Sequence, residues 1–406
     1  MSDVLHLTEY EEQSVALDRE DAEYLAREFG QSISIRRDFS GDRYIVNPNQ
    51  FVGVLSLPSG TRLELVPKVP VGTLFYMLAV AFDLPSPFKN EQMQFDELDE
   101  LIDFVVSYFA DLVEERIRLG LYRSYVENED NLGAIRGRIA IAEDVRRNHV
   151  LRHRTYCRFT EFTWDIPENQ IIRQVVHLLG GWVHRPELRL RLRRIDRLLS
   201  EVSPARLSAR VLDQIAYHRL NEDYRPIHQL CRLFLEGASL SESEGIFTFR
   251  TFLLDMNRLF EVFVTQALRD RARPPITVHD QERLFLGYDK TLPMRADIFV
   301  RFDGTAALIA DCKYKRPEVA QFHEHDVYQL LAYCTAANLP RGLLIYPRHI
   351  VAVDDEVRVR NSAVRIRRAS LDLSGSPIEL RGACDGFFTQ VLDWSKGKVW
   401  SPALFP

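Results

Sequence analysis

The sequence contains little cysteine, no long apolar run and no segment that resembles an export signal. Only five of its 406 residues are cysteines, and they are scattered without any C-x-x-C pair. This pattern argues against a disulfide framework or a structural zinc site and favours reduced thiols. No segment approaches the roughly 18–20 consecutive apolar residues of a membrane helix, and the first residues lack a basic stretch followed by an apolar one. We therefore expect a cytoplasmic protein without membrane association.

Two further absences concern chemistry. The sequence has no G-x-x-x-x-G-K-[ST] phosphate loop and no G-x-S-x-G nucleophile elbow, so we do not expect the chain itself to hydrolyse nucleotides. Its net charge of −6 excludes a globally basic DNA-binding protein. Affinity for nucleic acid would have to come from local patches, a metal ion or a partner. The same acidity also suits an ordinary cytoplasmic enzyme.

Length and patterning predict a multidomain α+β protein. A chain of 406 residues is long enough for two or three domains. Residues 1–92 predict a β-rich module, with the clearest hairpin formed by 51–57 and 61–67. Residues 93–245 predict a mainly helical middle domain, and 246–406 an α/β domain. Outside the last domain, apolar periodicity predicts helices over 72–83, 96–120, 168–182, 187–201 and 222–236.

The most informative stretch is LPMRADIFVRFDGTAALIADCKYK, residues 292–315. The pair Asp303-Gly304 is a turn signal between two β-rich runs, which predicts a hairpin. Side chains alternate across a strand, so Asp311 and Lys313 are expected on one face of the second strand.

Strand pairing in this hairpin would bring Asp297 and Asp311 to one divalent ion. Mg²⁺ binds a few carboxylate oxygens and keeps several waters, so two acids suffice; Mn²⁺ is expected to substitute. Lys313 would orient or deprotonate an attacking water, or stabilise charge on a phosphate. By itself, a D-x-K triplet on a strand more often belongs to a solvated face.

Helices on both sides of the hairpin offer further candidates. Residues 251–272 have helical periodicity and place Glu261 at the border of an apolar stripe. Residues 324–337 place Gln329 and Tyr333 four apart on one helix face. Gln329 would hydrogen-bond a phosphate, a base edge or the lysine. Taken alone, Glu261 is more often a surface glutamate, and Gln329 is equally well a polar surface residue.

The order helix, acidic hairpin, helix and apolar strand (342–347) gives α-β-β-α-β. This order resembles the core of the PD-(D/E)xK nucleases, although Ala296 stands where that motif has proline. The resemblance implies a metal-dependent nuclease, with metal ligands among the acidic residues. The candidate catalytic residues are Asp297, Asp311, Lys313, Glu261 and Gln329, and the candidate metal ligands are Asp297, Asp311 and Glu261.

A more specific resemblance extends over about residues 40–350. It rests on VGVLSLPSGTRLELVPK, LFYMLAVAFDL, IRGRIAIAEDVRR, CRFTEFTWDIPENQIIR, LFEVFVTQAL, ADIFVR with LIADCKYK, and YQLLAYC with GLLIYP. Together these segments are similar to McrC, the nuclease subunit of McrBC-type modification-dependent restriction systems.

That resemblance implies a division of labour in defence against phage. The chain would dock through residues 1–92 on a McrB-like AAA+ ring, a GTPase or ATPase that recognises modified, methylated DNA. It would stimulate that hydrolysis and cut double-stranded DNA, and we expect a monomer when it is alone. Arg136 and Arg138, with Gly137 permitting a close backbone approach, are candidates for acting on the ring; two exposed arginines in a turn are the plainer interpretation.

Two other functions stay open at this point. The chain would also suit a stand-alone PD-(D/E)xK nuclease of DNA repair or of a mobile element, which would cut without any NTPase. It would also suit a non-catalytic activator of an AAA+ ring. The intact set Asp297, Asp311 and Lys313 argues against the activator, because an unused buried charge cluster costs stability.

Overall fold

The computed structural model describes residues 4–38, 43–84, 97–149, 153–183, 185–238, 251–315, 322–348 and 353–397. The chain divides into two compact units, one formed by residues 1–102 with 236–406 and the other by 103–235. The sequence had placed domain boundaries after residues 92 and 245 instead. The polar segment 239–245, predicted to be a linker, lies outside the described residues.

The helices found in these ranges follow the apolar periodicity of the sequence closely. All five helices predicted outside the last domain are present, with ends that shift by a few residues. They are α1 Arg19–Phe29, α2 Val71–Ala81, α3 Leu98–Leu119, α4 Ile141–Asn148, α5 Pro167–Trp182, α6 Pro186–Leu198, α7 Arg225–Ala238, α8 Met256–Arg271, α9 Glu324–Ala336 and α10 Pro377–Ser395, with 3-10 helices Ala209–Gln214 and Glu222–Tyr224. Of the described helices, none is both long enough and apolar enough to span a lipid bilayer.

The strands form four sheets. They are β1 Val4–Thr8, β2 Gln13–Val15, β3 Ser34–Arg37, β4 Tyr44–Asn47, β5 Phe51–Ser56, β6 Arg62–Val66, β7 Ser124–Leu132, β8 Arg138–Ile139, β9 Thr155–Thr163, β10 Thr251–Asp255, β11 Ile276–Phe285, β12 Pro293–Phe302, β13 Thr305–Cys312, β14 Arg341–Pro347, β15 Asp354–Arg358 and β16 Arg365–Leu371. The sheet orders are β1-β6-β5-β10, β2-β4-β3, β7-β9-β8 and β11-β12-β13-β14-β16-β15. The prediction of a mixed α+β fold is confirmed.

The first sheet joins strands from the first 66 residues to a strand that begins at residue 251. The predicted hairpin is present as β5 and β6, and β1 pairs parallel to β6. β10 pairs antiparallel to β5, which corrects the helix predicted for 251–272: its first five residues form a strand, and Asp255 caps α8 by accepting from the backbone N–H of Asn257. The apolar spacing of TFLLD suits a helix and a strand equally, so the pairing partner decides the outcome.

Residues 103–235 contain a sheet that the sequence did not predict. β7 and β9 pair antiparallel over nine residues each, and β8 adds two residues to the other edge of β9. The strand β7, with the sequence SYVENEDNL, is mostly polar and contains no buried residue, so its composition resembles a loop rather than a strand.

The largest sheet carries the predicted acidic hairpin. β12 and β13 pair antiparallel around Asp303 and Gly304, whose φ angles of 50° and 74° are the positive values that such a turn requires. β14 pairs parallel to β13. The element order is α8-β11-β12-β13-α9-β14, so the predicted α-β-β-α-β order gains one strand. β13 is buried from Leu308 to Cys312, which means that both of its faces are covered and not one alone.

Candidate active site

The two predicted aspartates meet at the open end of the hairpin. The β12–β13 ladder is recorded up to the pair Ile298 and Ala310, and Asp297 and Asp311 are the next residues on each strand. Asp297 Oδ2 accepts the backbone N–H of Cys312 at 3.1 Å. Asp311 is only 1% exposed. The fold therefore holds two carboxyl groups side by side with little solvent.

Burial makes both groups hard to ionise, and the charge of Asp311 adds to this effect at Asp297. Burial, followed by the charge of Asp311, raises the pKa of Asp297 to about 7. Burial also raises the pKa of Asp311, although the neighbouring Lys313 opposes this shift. Two carboxyl groups with raised pKa values in one pocket are the usual mark of a site that is completed by a cation or used in catalysis.

Lys313 and Gln329 extend this pair on one side. Lys313 Nζ lies 2.6 Å from Asp311 Oδ2 and donates to Gln329 Oε1 at 2.9 Å. Gln329 Nε2 in turn donates to the Tyr333 hydroxyl at 2.8 Å. Of the three partners foreseen for Gln329, the structure shows the lysine. Burial alone would lower the pKa of Lys313, but the attraction of Asp311 raises it overall, so this lysine is a cation at neutral pH.

Asp311 Oδ2 is buried and lies against the charge of Lys313. Its contact with the Lys313 ammonium group, at 2.6 Å, is an ion pair. A buried carboxylate needs such a partner to offset the water that it has lost. Together with Asp297, Asp311 offers the oxygen ligands that Mg²⁺ prefers.

Glu261 lies near this pair but is engaged elsewhere. Its Oε1 accepts from Arg258 at 2.7 Å and from Gln281 at 2.5 Å. Burial, and then the charge of Asp297, raises its pKa, which places it within electrostatic reach. In the described part of the chain, however, no three acidic, cysteine or histidine side chains come together closely enough to hold one ion. Glu261 binds an arginine and an amide in this structure, and its role as a third metal ligand stays a prediction.

Sequence reasoning missed two polar groups that border the site. Gln281, on β11 with a φ of 49°, orients Glu261. Asp326, on α9, is buried and accepts from Lys315 Nζ at 2.9 Å and from the Tyr346 hydroxyl at 2.8 Å; its charge acts on Asp311. For Asp326, the signal in the sequence was its partner Lys315, the second lysine of the run DCKYK. For Gln281 there was no signal, because β11 was not predicted.

Arg136 and Arg138 belong to the other unit. Arg136 pairs with Glu161 at 3.3 Å and stacks at 4.3 Å on the ring of Phe159, and Arg138 is exposed on β8. Gly137, with a φ of 71°, lies close to β9 of the same chain: a Cβ atom there would lie 2.4 Å from a backbone oxygen of that strand. The approach to a ring stays a prediction. Around these residues the surface is apolar, with exposed Ile135, Ile139, Ile141 and Val145.

Comparison with known proteins gives relatives for most of the chain. Residues 46–347 match the family model described as McrBC 5-methylcytosine restriction system component. The chain is 24% identical over 318 residues to the Type IV methyl-directed restriction enzyme EcoKMcrBC of Escherichia coli (strain K12), which covers 72% of this chain and 90% of that protein.

Two solved structures from Thermococcus gammatolerans are also similar. The first is the refined half-complex from a tetradecameric assembly of McrB AAA+ hexamers with bound McrC. One chain of that structure matches with a TM-score of 0.54 and 17% identity, and the match covers 95% of this chain and 100% of that one. The second is the cryo-EM structure of the McrBC complex, with a TM-score of 0.41 at 19% identity, covering 66% and 88%. The first likeness indicates a shared fold. With a family match over more than half of its length, the chain belongs to the McrBC 5-methylcytosine restriction system component family, as a McrC-type subunit.

Proposed function

We propose that this chain is a metal-dependent endonuclease subunit that cuts DNA when it is docked on a McrB-like AAA+ ring. The observation that carries the proposal is the neighbouring pair of the partly buried Asp297 and the buried Asp311, with the cationic Lys313 at 2.6 Å from Asp311 Oδ2. This set matches the D…D-x-K pattern that the sequence predicted for phosphodiester cleavage.

Asp297 and Asp311 would hold a Mg²⁺ ion, or Mn²⁺ in its place. When bound, such an ion neutralises phosphate charge and lowers the pKa of a coordinated water. Glu261 would become a third ligand only by exchanging its bonds to Arg258 and Gln281. Two carboxylates with waters already satisfy Mg²⁺, so the proposal does not depend on that exchange.

Lys313 would act as a positive charge and a hydrogen-bond donor. Its raised pKa keeps it protonated at neutral pH, which favours orienting the attacking water or stabilising the phosphate over removing a proton. Gln329 fixes the ammonium group from the other side, and Tyr333 fixes the amide. The Lys313 ammonium group is therefore in place before negative charge develops on the phosphate. Preorganised donors of this kind are the most effective form of electrostatic stabilisation.

For the ring partner, the exposed apolar surface around Arg136 and Arg138 is the better-supported contact. Exposed isoleucines grouped around half-exposed or exposed arginines are typical of protein interaction surfaces. The solved structure with the same fold contains McrC bound to McrB hexamers. Residues 1–92 stay a second candidate for ring binding.

The test is Mg²⁺-dependent cleavage of methylated and unmethylated plasmid, with and without a McrB-like ring and its nucleotide. We expect cutting of methylated plasmid only with ring and nucleotide, and a loss of about a hundredfold or more in Lys313→Ala or Asp311→Ala. Stimulation of the ring's hydrolysis should survive in both variants and fall in Arg136→Ala and Arg138→Ala.

Three results would contradict parts of the proposal. Cutting by the wild type alone would favour the stand-alone nuclease. Stimulated hydrolysis without any cutting would favour the non-catalytic activator. Unchanged stimulation in both arginine variants would remove these residues from the ring contact and leave the nuclease assignment in place.

A further inference from the structure

Tyr314, the residue after Lys313, forms hydrogen bonds through its side chain and its main chain with the two residues that follow β1. The Tyr314 hydroxyl donates to Glu9 Oε1 at 2.8 Å. The Tyr10 hydroxyl donates to the Tyr314 carbonyl oxygen at 2.6 Å, with a longer contact of 3.3 Å to Asn257 Oδ1. Glu9 and Tyr10, which follow β1, thus both form hydrogen bonds with Tyr314, which follows β13. More than 300 positions separate the two segments in sequence.

Glu9 is itself rigidly placed. It is fully buried, its Oε1 also accepts the backbone N–H of Lys68 at 2.7 Å, and its own N–H donates to the Val66 carbonyl at 3.1 Å. Its Oε2 is buried without a hydrogen-bond partner among the described residues. Burying a carboxyl group in this way costs stability. The hydrogen bond that Glu9 accepts from Tyr314 offsets part of this cost.

Tyr314 remains a hydrogen-bond donor under ordinary conditions. It is 1% exposed, and burial raises its pKa well above the usual range. Its ring packs at 5.8 Å from Phe260 on α8. The side chain is therefore enclosed between α8 and the N-terminal sheet, where it cannot reach a DNA substrate.

The hydrogen bonds to Tyr314 restrain the backbone that carries Lys313. Within this short segment, the N–H of Cys312 donates to Asp297, the N–H of Lys313 donates to the Ile345 carbonyl at 2.9 Å, and Tyr314 is held by Glu9. Tyr314 contacts Glu9 and Phe260, whereas Lys313 contacts Asp311 and Gln329, so the two side chains have different surroundings. A shift of the backbone by about 1 Å would be enough to misplace a catalytic group.

We propose that Tyr314 is a positioning residue for Lys313, and that Glu9 and Tyr10 form the clamp that fixes it. The proposal rests on the nuclease function proposed above and names residues that contact neither substrate nor metal. It makes the geometry of the site depend on the N-terminal sheet, whose strand β10 leads directly into α8, the helix that contains Glu261.

The test compares single substitutions in the full chain, assayed for cleavage of methylated plasmid with the ring, nucleotide and Mg²⁺. Tyr314→Phe removes one hydroxyl and keeps the ring, and Glu9→Ala removes its acceptor. We expect each to lower kcat about tenfold, the effect of one lost hydrogen bond on alignment, without a change in KM for DNA. The double variant should lose no more than either single variant, because both remove the same bond.

Conservative and remote variants separate positioning from general damage. Glu9→Gln keeps an oxygen that accepts from Tyr314 and should restore kcat to within about twofold of the wild type. Tyr24→Phe, at a half-buried tyrosine that packs against Phe29 in the same module, should leave kcat unchanged. Melting temperature and stimulation of ring hydrolysis report whether each variant is folded. Tyr10→Phe is a second probe of the clamp, because it removes only the hydrogen bond to the Tyr314 carbonyl oxygen and the longer contact to Asn257.

The outcomes for this inference and for the nuclease function differ. Wild-type kcat in both Tyr314→Phe and Glu9→Ala, with Asp311→Ala inactive, overturns the positioning role alone. So does an equal loss in Glu9→Gln and Glu9→Ala, which would indicate general damage. Cutting that survives Asp311→Ala overturns the proposed function itself.

Discussion

Glu9 is a buried carboxyl group whose ionisation the fold opposes. Burial raises its pKa from 4.5 to about 7, against the opposing effects of its bonds to Lys68 and Tyr314. For an acid whose pKa is raised on folding, the folded state binds the proton more tightly. Its contribution to stability is then fully present below pH 4.5 and is lost as pH rises through 7.

This linkage predicts that Glu9→Gln flattens the dependence of stability on pH. Relative to the variant, wild type should lose about 2 kcal/mol of unfolding free energy between pH 5.5 and pH 8. Thermal or urea unfolding of both proteins across this range measures the difference, and other titrating groups cancel between them. Parallel stability curves for the two proteins would show that Glu9 is not the group responsible.

At the residue scale, local sequence signals found part of the candidate site. Asp297, Asp311 and Lys313 were visible because a turn signal and strand alternation fix their relation over a few positions. The clamp of Glu9 and Tyr10 on Tyr314 had no such signal, because it joins residues about 300 positions apart. Periodicity describes neighbours along the chain and carries no information on contacts of that range.

At the element scale, strands whose partners come from distant sequence were the hardest to foresee. The hairpin of β12 and β13 was predicted from its own turn. The apolar spacing of β10 predicts the start of a helix, but the strand forms because it pairs with β5, some 200 residues earlier in sequence. β7 and β11 carry many charged residues, and their pairing with β9 and β12 overrides that composition.

The pairing of β5 with β10 depends on a glycine. Gly53 has a φ of 144°, and a Cβ atom there would lie 2.0 Å from the carbonyl oxygen of Phe252. We predict that Gly53→Ala lowers the unfolding free energy by about 2–4 kcal/mol, through this overlap and backbone strain. Gly60→Ala is the matched control, because its φ is 90° and nothing lies within 4 Å of the added atom. Equal melting temperatures for the two variants would refute the steric explanation.

At the scale of the whole molecule, the N-terminal and C-terminal segments share one compact unit. Residues 1–102 and 236–406 cluster together, and their shared sheet contains β1, β5, β6 and β10. The region proposed as the nuclease therefore shares its compact unit with residues 1–102. Its first helix, α8, starts directly from a strand of the N-terminal sheet.

Removal of residues 1–10 should consequently loosen the end of β13. The deletion takes away β1, Glu9 and Tyr10, and with them both hydrogen bonds to Tyr314. We predict that amide hydrogen exchange at residues 312–315 becomes about tenfold faster, as the loss of one or two hydrogen bonds implies. Exchange in β7 and β9 should stay unchanged, because these strands pair with each other within the other unit. Mass spectrometry of exchanged peptides distinguishes the possibilities: faster exchange in every peptide would mean general unfolding, and intact protection at 312–315 would mean that β13 is held without the clamp.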